Sequence, residues 1–343
     1  MDWLVLSPFV KTTYPGWLMP FIDPARHRTR QVPADYDHDR SRAVSSGRQW
    51  LDYLRHGWRG FRQTFGRQPV GVVTAFPQLA VIVALLKTLS GRKNVPLIAW
   101  CFNLAQPYGG IKGKLARFCL PAVDLFVVHS RAEIEIYSNW LQLPRERFVF
   151  VPLSAEIRDT ATWTEQADDP YIVALGTANR DYALLAAAAG QMGYKTIIVA
   201  GTHATAHIQA PPCVSFRSNL TLAECHQLAL YSRINVIPIA DVNAPSGQVT
   251  VIESMMRGVP LVATACAGTS DYVVDGVDGI LVAPNDVAAM VSALRTVWED
   301  AALRTALSRN ARQASLEKFT FPAAAARLTE LMTQLASRLP RPD

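Results

Sequence analysis

Short, mainly apolar runs alternate with longer amphipathic stretches along most of the chain. The runs at 3–8, 70–75, 95–101, 124–128 and 148–152 read as strands, as do those at 171–175, 195–200, 214–217, 235–240 and 261–263. They are mainly apolar, and with the stretches between them they set a β-α rhythm. Helical patterns lie between and after them, at 78–89, after Ser130, after Tyr182, up to Leu230, from Ser246 to Gly258, and at 286–298, 300–316 and 322–337. This alternation predicts an α/β architecture. Ser130 with Glu133, and Thr221 with Glu224, have the spacing of capping boxes. The polar, threonine-rich segment 154–170 reads as a linker and hinge. It divides the chain into a first domain at 1–155, a second at 168–320 and a last helix at 321–343.

Two segments break the rhythm. Residues 26–48 are polar and read as irregular; their D-x-D-x-D run, Asp35, Asp37 and Asp39, reads as a solvated loop rather than a metal site. In 48–67, aromatic residues interleave with arginines, and Trp50, Tyr53, Leu54, Phe61 and Phe65 recur at helical spacing. That is an amphipathic helix, either packed on the domain sheet or lying in a membrane interface.

Charge changes the picture in one respect. Residues 1–155 carry 20 Lys and Arg against 10 Asp and Glu, while the rest carry 14 against 18. A basic first half suits an anionic partner, such as a phospholipid surface or a lipid-phosphate acceptor, and equally suits a solvated basic surface. Nucleic acid is the outside explanation and is not the expectation. The five cysteines show no paired spacing and read as reduced thiols of a cytoplasmic protein. The first residues read as a strand rather than an export signal, and no run is long and unbroken enough to span a membrane.

The candidate chemistry lies at the start of the helix that opens near Ser246. The first amides of a helix lack internal partners, and the aligned peptide dipoles make that end positive, so an anion such as phosphate sits well there. Gly247 lets the backbone approach closely. Ser246, Thr250 and Glu253, spaced i, i+4 and i+7, share one face and present two hydroxyls and then a carboxylate. An ordinary strand–loop–helix unit is the plainer reading. His129 reads as a packed histidine and Ser130 as a cap.

The stretch Glu253, Ser254, Met255, Gly258, Pro260, Ala263, Thr264 and Gly268, followed by 275-DGVDGILVAPND-286, resembles the donor-binding segment of retaining, nucleotide-sugar-dependent GT-B glycosyltransferases. The likeness is good over about 170–320 and weak before it. It implies two Rossmann-like β/α/β domains facing a cleft, with the last helix leaning back on the first. It further implies that Gly176, Thr177, Asn179 and Arg180 meet a donor diphosphate, together with Ser246, Gly247, Gln248, Val249 and Thr250. Glu253 would hold the ribose and Arg217 would lie near the base. Paired with Asp181, Arg180 would instead be an ordinary surface residue. Tyr14, Gly16 and Asn103 fall on the acceptor side. Pro245 stands where the family has a first glutamate. The string Ser246-Gly247-Gln248 with Asp271-Tyr272 resembles an exopolysaccharide-associated subset.

The resemblance implies a hexosyltransferase that uses a nucleotide sugar, UDP-linked by preference, and an anionic, lipid-linked or polysaccharide acceptor. It implies no cofactor and no bound metal. The protein would be cytoplasmic, and peripheral at the inner face of an anionic membrane. No catalytic base is assigned; an inverting enzyme would need one, with Asp23 and His27 the nearest candidates. A sugar-nucleotide epimerase and a non-catalytic sugar-nucleotide-binding protein are the alternatives.

Overall fold

The computed structural model describes residues 1–12, 16–38, 47–66, 68–104, 106–156, 162–240, 243 and 245–338. Tyr14 and Asp39 lie outside the described residues. The chain forms two compact units, Met1–Pro152 with Phe321–Asp343, and Leu153–Thr320. In order, the first part of the chain contains β1 (Asp2–Leu6), β2 (Arg28–Val32), α1 (Gly47–Phe61), β3 (Val70–Ala75), α2 (Pro77–Ser90), β4 (Leu97–Trp100), α3 (Gly110–Cys119), β5 (Leu125–Val128), α4 (Arg131–Leu141) and β6 (Phe148–Phe150). It continues with β7 (Ile172–Leu175), α5 (Tyr182–Met192), β8 (Thr196–Val199), α6 (Thr202–Thr205), β9 (Val214–Arg217), α7 (Leu222–Leu230) and β10 (Ile234–Ile237). The last elements are α8 (Gln248–Arg257), β11 (Leu261–Thr264), β12 (Ile280–Val282), α9 (Val287–Glu299), α10 (Ala301–Lys318) and α11 (Phe321–Ala336).

In the first unit six parallel strands run in the order β2-β1-β3-β4-β5-β6. Alternate residues point to opposite faces of a sheet. Leu4, Leu6, Val72 and Phe126 therefore join one core with α1 to α4. Trp3, Val5, Val73 and Val127 join another, closed by Leu328, Leu331 and Met332 of α11. In the second unit the order is β12-β11-β10-β7-β8-β9, again parallel. Ile172, Ile198 and Val236 face α5 and α9, while Ile237, Leu261 and Ala263 face α8 and α10.

Three expectations need correction. Residues 26–48 are not wholly irregular, because β2 pairs in register with β1 along its length. It is an edge strand whose outer positions are solvated, so Arg-Thr-Arg lacks the apolar signal of a central strand. The loop expected at 102–114 is cut short by α3, which begins at Gly110. The hinge expected at 154–170 is, where described after 161, pinned to the second unit. The amides of Trp163, Thr164 and Gln166 donate to the carbonyls of Arg257, Leu230 and Tyr231. These acceptors lie at the carboxyl ends of α8 and α7, where carbonyls lack helical partners. Glu165 meanwhile bridges Arg233 and Arg304. Segment 48–67 packs Tyr53 and Phe61 into the core. Asp35 and Asp37 are ion-paired with Arg59 and Lys11.

Two buried histidines set an acid limit on the first unit. His129 sits between the Val151 carbonyl (Nδ1, 2.7 Å) and the Cys101 thiol (Nε2, 3.2 Å). His56 sits between the Val32 carbonyl (Nε2, 2.7 Å) and the Tyr36 hydroxyl (Nδ1, 3.0 Å). Burial pushes both pKa values down from 6.5 to about 4. Both rings are therefore neutral when folded but take up protons below about 6.5 when unfolded. Their contribution is fully present above that pH and is lost as pH falls toward 4. Urea unfolding should show the first unit weaker at pH 5 than at pH 7 by about 2 kcal/mol per histidine. A His56→Gln, His129→Gln variant should lose most of this slope. An equal slope in wild type and variant would contradict the assignment.

Candidate functional site

In the second unit the strand order reverses between β7 and β10: β8 and β9 run off one way, β11 and β12 the other. Open α/β sheets place ligands outside the carboxyl ends of the strands at such a reversal. Two segments meet there, the turn 176–181 after β7 and the amino end of α8. The turn is laced to the end of β10. The Asp181 amide donates to the Pro238 carbonyl at 3.0 Å and the Ala240 amide to the Asn179 carbonyl at 3.3 Å. Asn179 adopts a left-handed conformation, φ 54°. Its side-chain amide donates to the Ser246 hydroxyl at 3.0 Å.

Arg180 is the centre of this arrangement. Its guanidinium donates to the Ala178 carbonyl at 2.7 Å, the Leu175 carbonyl at 3.4 Å and the Thr250 hydroxyl at 3.0 Å. Among the described residues no carboxylate lies at ion-pair distance from it. Pairing with Asp181 does not occur, because Asp181 caps α5 by accepting from the Leu184 amide at 2.9 Å. Burial holds the Arg180 pKa below the ordinary arginine value, and nearby Tyr182 and Cys266 act the other way. The group remains charged all the same. Gly176, at φ 126°, gives it room: a Cβ there would lie 2.7 Å from the guanidinium.

The amino end of α8 completes the site. In the second unit α5, α7, α9 and α10 each have a side-chain cap, from Asp181, Thr221, Asp286 and Asp300. The residue before α8 is Gly247, which offers no side-chain cap. It is left-handed at φ 87° with Ile237 and Ile239 within 3.2 Å of the position a Cβ would take. A side chain at 247 would be both strained and crowded. Opposite, the turn at Gly268 touches backbone to backbone, since a Cβ there would lie 2.1 Å from the Ser246 carbonyl oxygen. The helix start is thus clamped between two turns, with Val249 59% exposed beside it. A helix amino end next to a half-buried guanidinium that has no carboxylate at ion-pair distance among the described residues makes a positive cradle, and an anion with several oxygens matches it.

The structure brings together Gly176, Asn179, Arg180, Ser246, Gly247 and Thr250 of the expected residues. Thr177 is exposed on the turn, and Gln248 is buried. Glu253 lies one turn further along α8, where one carboxylate oxygen pairs with Arg257 and lies 3.6 Å from His226 Nε2. Its other oxygen has no partner among the described residues. Arg217 is exposed at the carboxyl end of β9, the edge strand, two strands from β7. Sequence reasoning missed Cys266 and Thr269, and had Gly268 only as part of the family-like donor segment. Thr269 ties this turn together, accepting from the Cys266 amide at 3.1 Å and donating to the Thr264 carbonyl at 2.6 Å. Gly268 was visible in the glycine-rich turn, but its contact with residue 246 depends on tertiary placement.

In the first unit the order reverses between β1 and β3. Gly16 lies beyond β1, its carbonyl accepting from Gln31 at 3.1 Å, and Asn103 lies exposed beyond β4. Three non-glycine residues in these loops are left-handed: Trp17 (φ 56°), Phe76 (φ 70°) and Cys101 (φ 53°). Such backbone strain concentrates at functional sites. Phe9 stands edge-on to both Trp17 and Phe76, at 5.1 and 5.8 Å between ring centres. Of the base candidates, His27 is buried with Nε2 2.8 Å from the Thr333 hydroxyl of α11, and Asp23 is exposed and paired with Arg26. Among the described residues no group of three or more His, Cys, Asp or Glu side chains converges as a metal site would require.

Residues 169–300 match the family described as glycosyl transferases group 1. A curated relative, glycogen synthase from Mycobacterium tuberculosis, is 31% identical over 117 residues, which is 34% of this chain and 28% of that protein. The match therefore spans about a quarter of the relative's length. Among solved structures, sucrose-phosphate synthase from Thermosynechococcus elongatus superposes with a TM-score of 0.66 at 16% identity, over 98% of this chain and 89% of that one. A glycosyltransferase from Rickettsia africae gives 0.67 at 12% identity over 98% of each. Anabaena HepE, solved in complex with UDP, gives 0.65 at 14% identity over 97% of this chain and 100% of that one. These likenesses establish the GT-B fold.

The site makes a direct prediction about anion binding. Arg180→Ala should weaken binding of a nucleoside diphosphate roughly tenfold to a hundredfold, the range of a charge-assisted hydrogen bond to an ionised group. Calorimetric titration of folded wild type and variant measures this. Unchanged affinity would remove Arg180 from the site.

Proposed function

We propose that this chain, a GT-B protein whose second unit matches the group 1 glycosyl transferases, moves a sugar from a nucleoside diphosphate to an acceptor hydroxyl. The observation that carries the reading is Arg180, half-buried, with no carboxylate at ion-pair distance among the described residues, and bonded to Thr250 at the start of α8, where Gly247 offers no side-chain cap. UDP is the favoured nucleotide, because HepE has been solved in complex with UDP and with UDP-glucose on the same fold.

In this reading the amides of Gln248, Val249 and Thr250 and the Arg180 guanidinium hold the two phosphates. Asn179 fixes the Ser246 hydroxyl that borders them, and the unpaired oxygen of Glu253 accepts from the ribose. Arg217 lies toward the base. The chemistry follows from where charge develops. As the bond between the anomeric carbon and the phosphate oxygen breaks, negative charge grows on the diphosphate. Donors already aimed there stabilise the transition state more than the ground state. The acceptor oxygen bonds to the anomeric carbon on the face the diphosphate leaves, with retention, and its proton passes to the departing phosphate oxygen. No side-chain base is then needed, in keeping with His27 being buried against Thr333 and Asp23 being paired with Arg26.

Gly16, Asn103 and Tyr14 belong to the acceptor side. A lipid-linked or polysaccharide acceptor fits the basic first half of the chain. With such an acceptor the protein works in the cytoplasm, peripherally at the inner face of a membrane, in the manner of the exopolysaccharide-associated enzymes it resembles. Among the described residues no helix is long and apolar enough to cross a membrane.

A thermal-shift series with UDP, GDP and dTDP and their sugars tests the donor. At about a hundred times Kd the right nucleotide should raise Tm by roughly 5 °C. Its sugar form should release nucleotide slowly, and faster with acceptor present. Binding with no release under any condition would contradict transfer and favour a sugar-nucleotide-binding protein, the reading that Pro245 in place of the family's first glutamate invites.

A further inference from the structure

Two helices of the first unit show rows of large apolar side chains to solvent. The buried positions of α3 are Gly113, Ala116 and Cys119, while Ile111, Leu115 and Phe118 face solvent at 86%, 44% and 56% exposure. The spacing i, i+4, i+7 puts these three on one stripe. In α1, glycines at 57 and 60 also face the core, where a Cβ would lie 2.5 Å from Ile82 and 2.6 Å from Leu6 respectively. Its outer face carries Leu51, Leu54 and Trp58 at 53%, 42% and 50% exposure. Isolated exposed leucines are ordinary, but rows of them at helical spacing mark a surface that meets something. In α3 the small residues face the layer beneath and the large apolar groups are left outside it; α1 buries Tyr53 and Phe61 beside its glycines and still carries an apolar outer row.

The two rows belong to one layer. α1 to α4 share a single core against one face of the sheet, and α2 packs against both α1 and α3. The surroundings are basic. α3 contains Lys112, Lys114 and Arg117 and no acidic residue. α1 contributes exposed Arg48 and Arg55, with Asp52 its lone carboxylate. A second copy of this chain would bring like charge onto like charge across such a face, which opposes association. An anionic bilayer supplies both what the apolar rows and what the cations require.

We infer that the outer face of the α1–α3 layer docks on an anionic lipid surface, with Ile111, Leu115 and Phe118 and the row at Leu51, Leu54 and Trp58 entering the headgroup region. The inference rests on the peripheral membrane placement proposed above and names the surface that makes it, while standing independently of the transfer reaction. α3 starts just beyond the carboxyl end of β4, the edge at which the first sheet's ligand loops lie, so docking there brings those loops to the lipid surface.

Sedimentation with vesicles tests it. The full chain should pellet with phosphatidylcholine–phosphatidylglycerol vesicles at low salt, and not with pure phosphatidylcholine or at high salt. Ile111→Ser with Phe118→Ser, Lys112→Glu with Lys114→Glu, and Leu51→Ser with Trp58→Ser should each lower the partition coefficient by about tenfold or more. Far-ultraviolet circular dichroism should be unchanged, because every altered side chain is exposed. Equal pelleting with neutral vesicles, or variants that bind like wild type, would overturn the proposal. So would a concentration-dependent dimer that these variants dissolve while vesicles bind nothing. Turnover is not a readout, so failure of the transferase reading leaves this result intact.

Discussion

The second unit is organised around a positive charge that the described chain does not neutralise. Arg180 is half-buried, held by two carbonyls and a hydroxyl, and the amino end of α8 adds the positive pole of a helix dipole beside it. Burying a cation without an opposite charge is unfavourable, and placing it at a helix amino end is doubly so. A fold tolerates this where an anion arrives from outside. Neighbouring helices show that carboxylate caps were within the chain's reach, since Asp181, Asp286 and Asp300 each cap one. Asp181 caps the helix beside Arg180 rather than pairing with it, which leaves the guanidinium directed at Thr250.

Everything else in this unit serves the placement of those groups. The reversal of strand order between β7 and β10 opens the crevice, and hydrogen bonds from turn 176–181 to residues 238–240 fix the turn. Three glycines do different jobs. Gly176 clears space for the guanidinium, Gly247 reverses the chain into α8 with positive φ, and Gly268 lets a second backbone lie against residue 246. A side chain at any of them would displace the helix start or the arginine. The first unit repeats the sheet plan, and there the strain falls on Trp17, Phe76 and Cys101 in loops leaving the strands.

Much of this was legible in the residues. Mainly apolar runs identified the central strands, because parallel strands are buried on both faces. The Thr221–Glu224 box and the Gly258 stop bound their helices as read. Ser130 does cap α4, accepting from the Ala132 amide, but Glu133 takes the His129 amide at 3.1 Å. What escaped the sequence depends on position in space. The polar β2 is an edge strand, so its composition mimics a loop. α3 hides its small residues and shows its large ones, opposite to the usual pattern, and a glycine pair at its start reads as a turn. Residues 163–166 look like linker because they are polar, yet that polarity satisfies helix ends and, through Glu165, two arginines. The approach of Gly268 to residue 246 joins segments that no local pattern connects.

Hydrogen exchange at the start of α8 probes the central claim without reference to turnover. Amides of residues 248–250, and of 176–180 across from them, should exchange rapidly in the free protein and become protected when UDP saturates it, with Arg180→Ala losing most of that protection. If UDP binds and those amides exchange as before, with protection appearing elsewhere in the chain, the anion does not sit on α8 and the account fails.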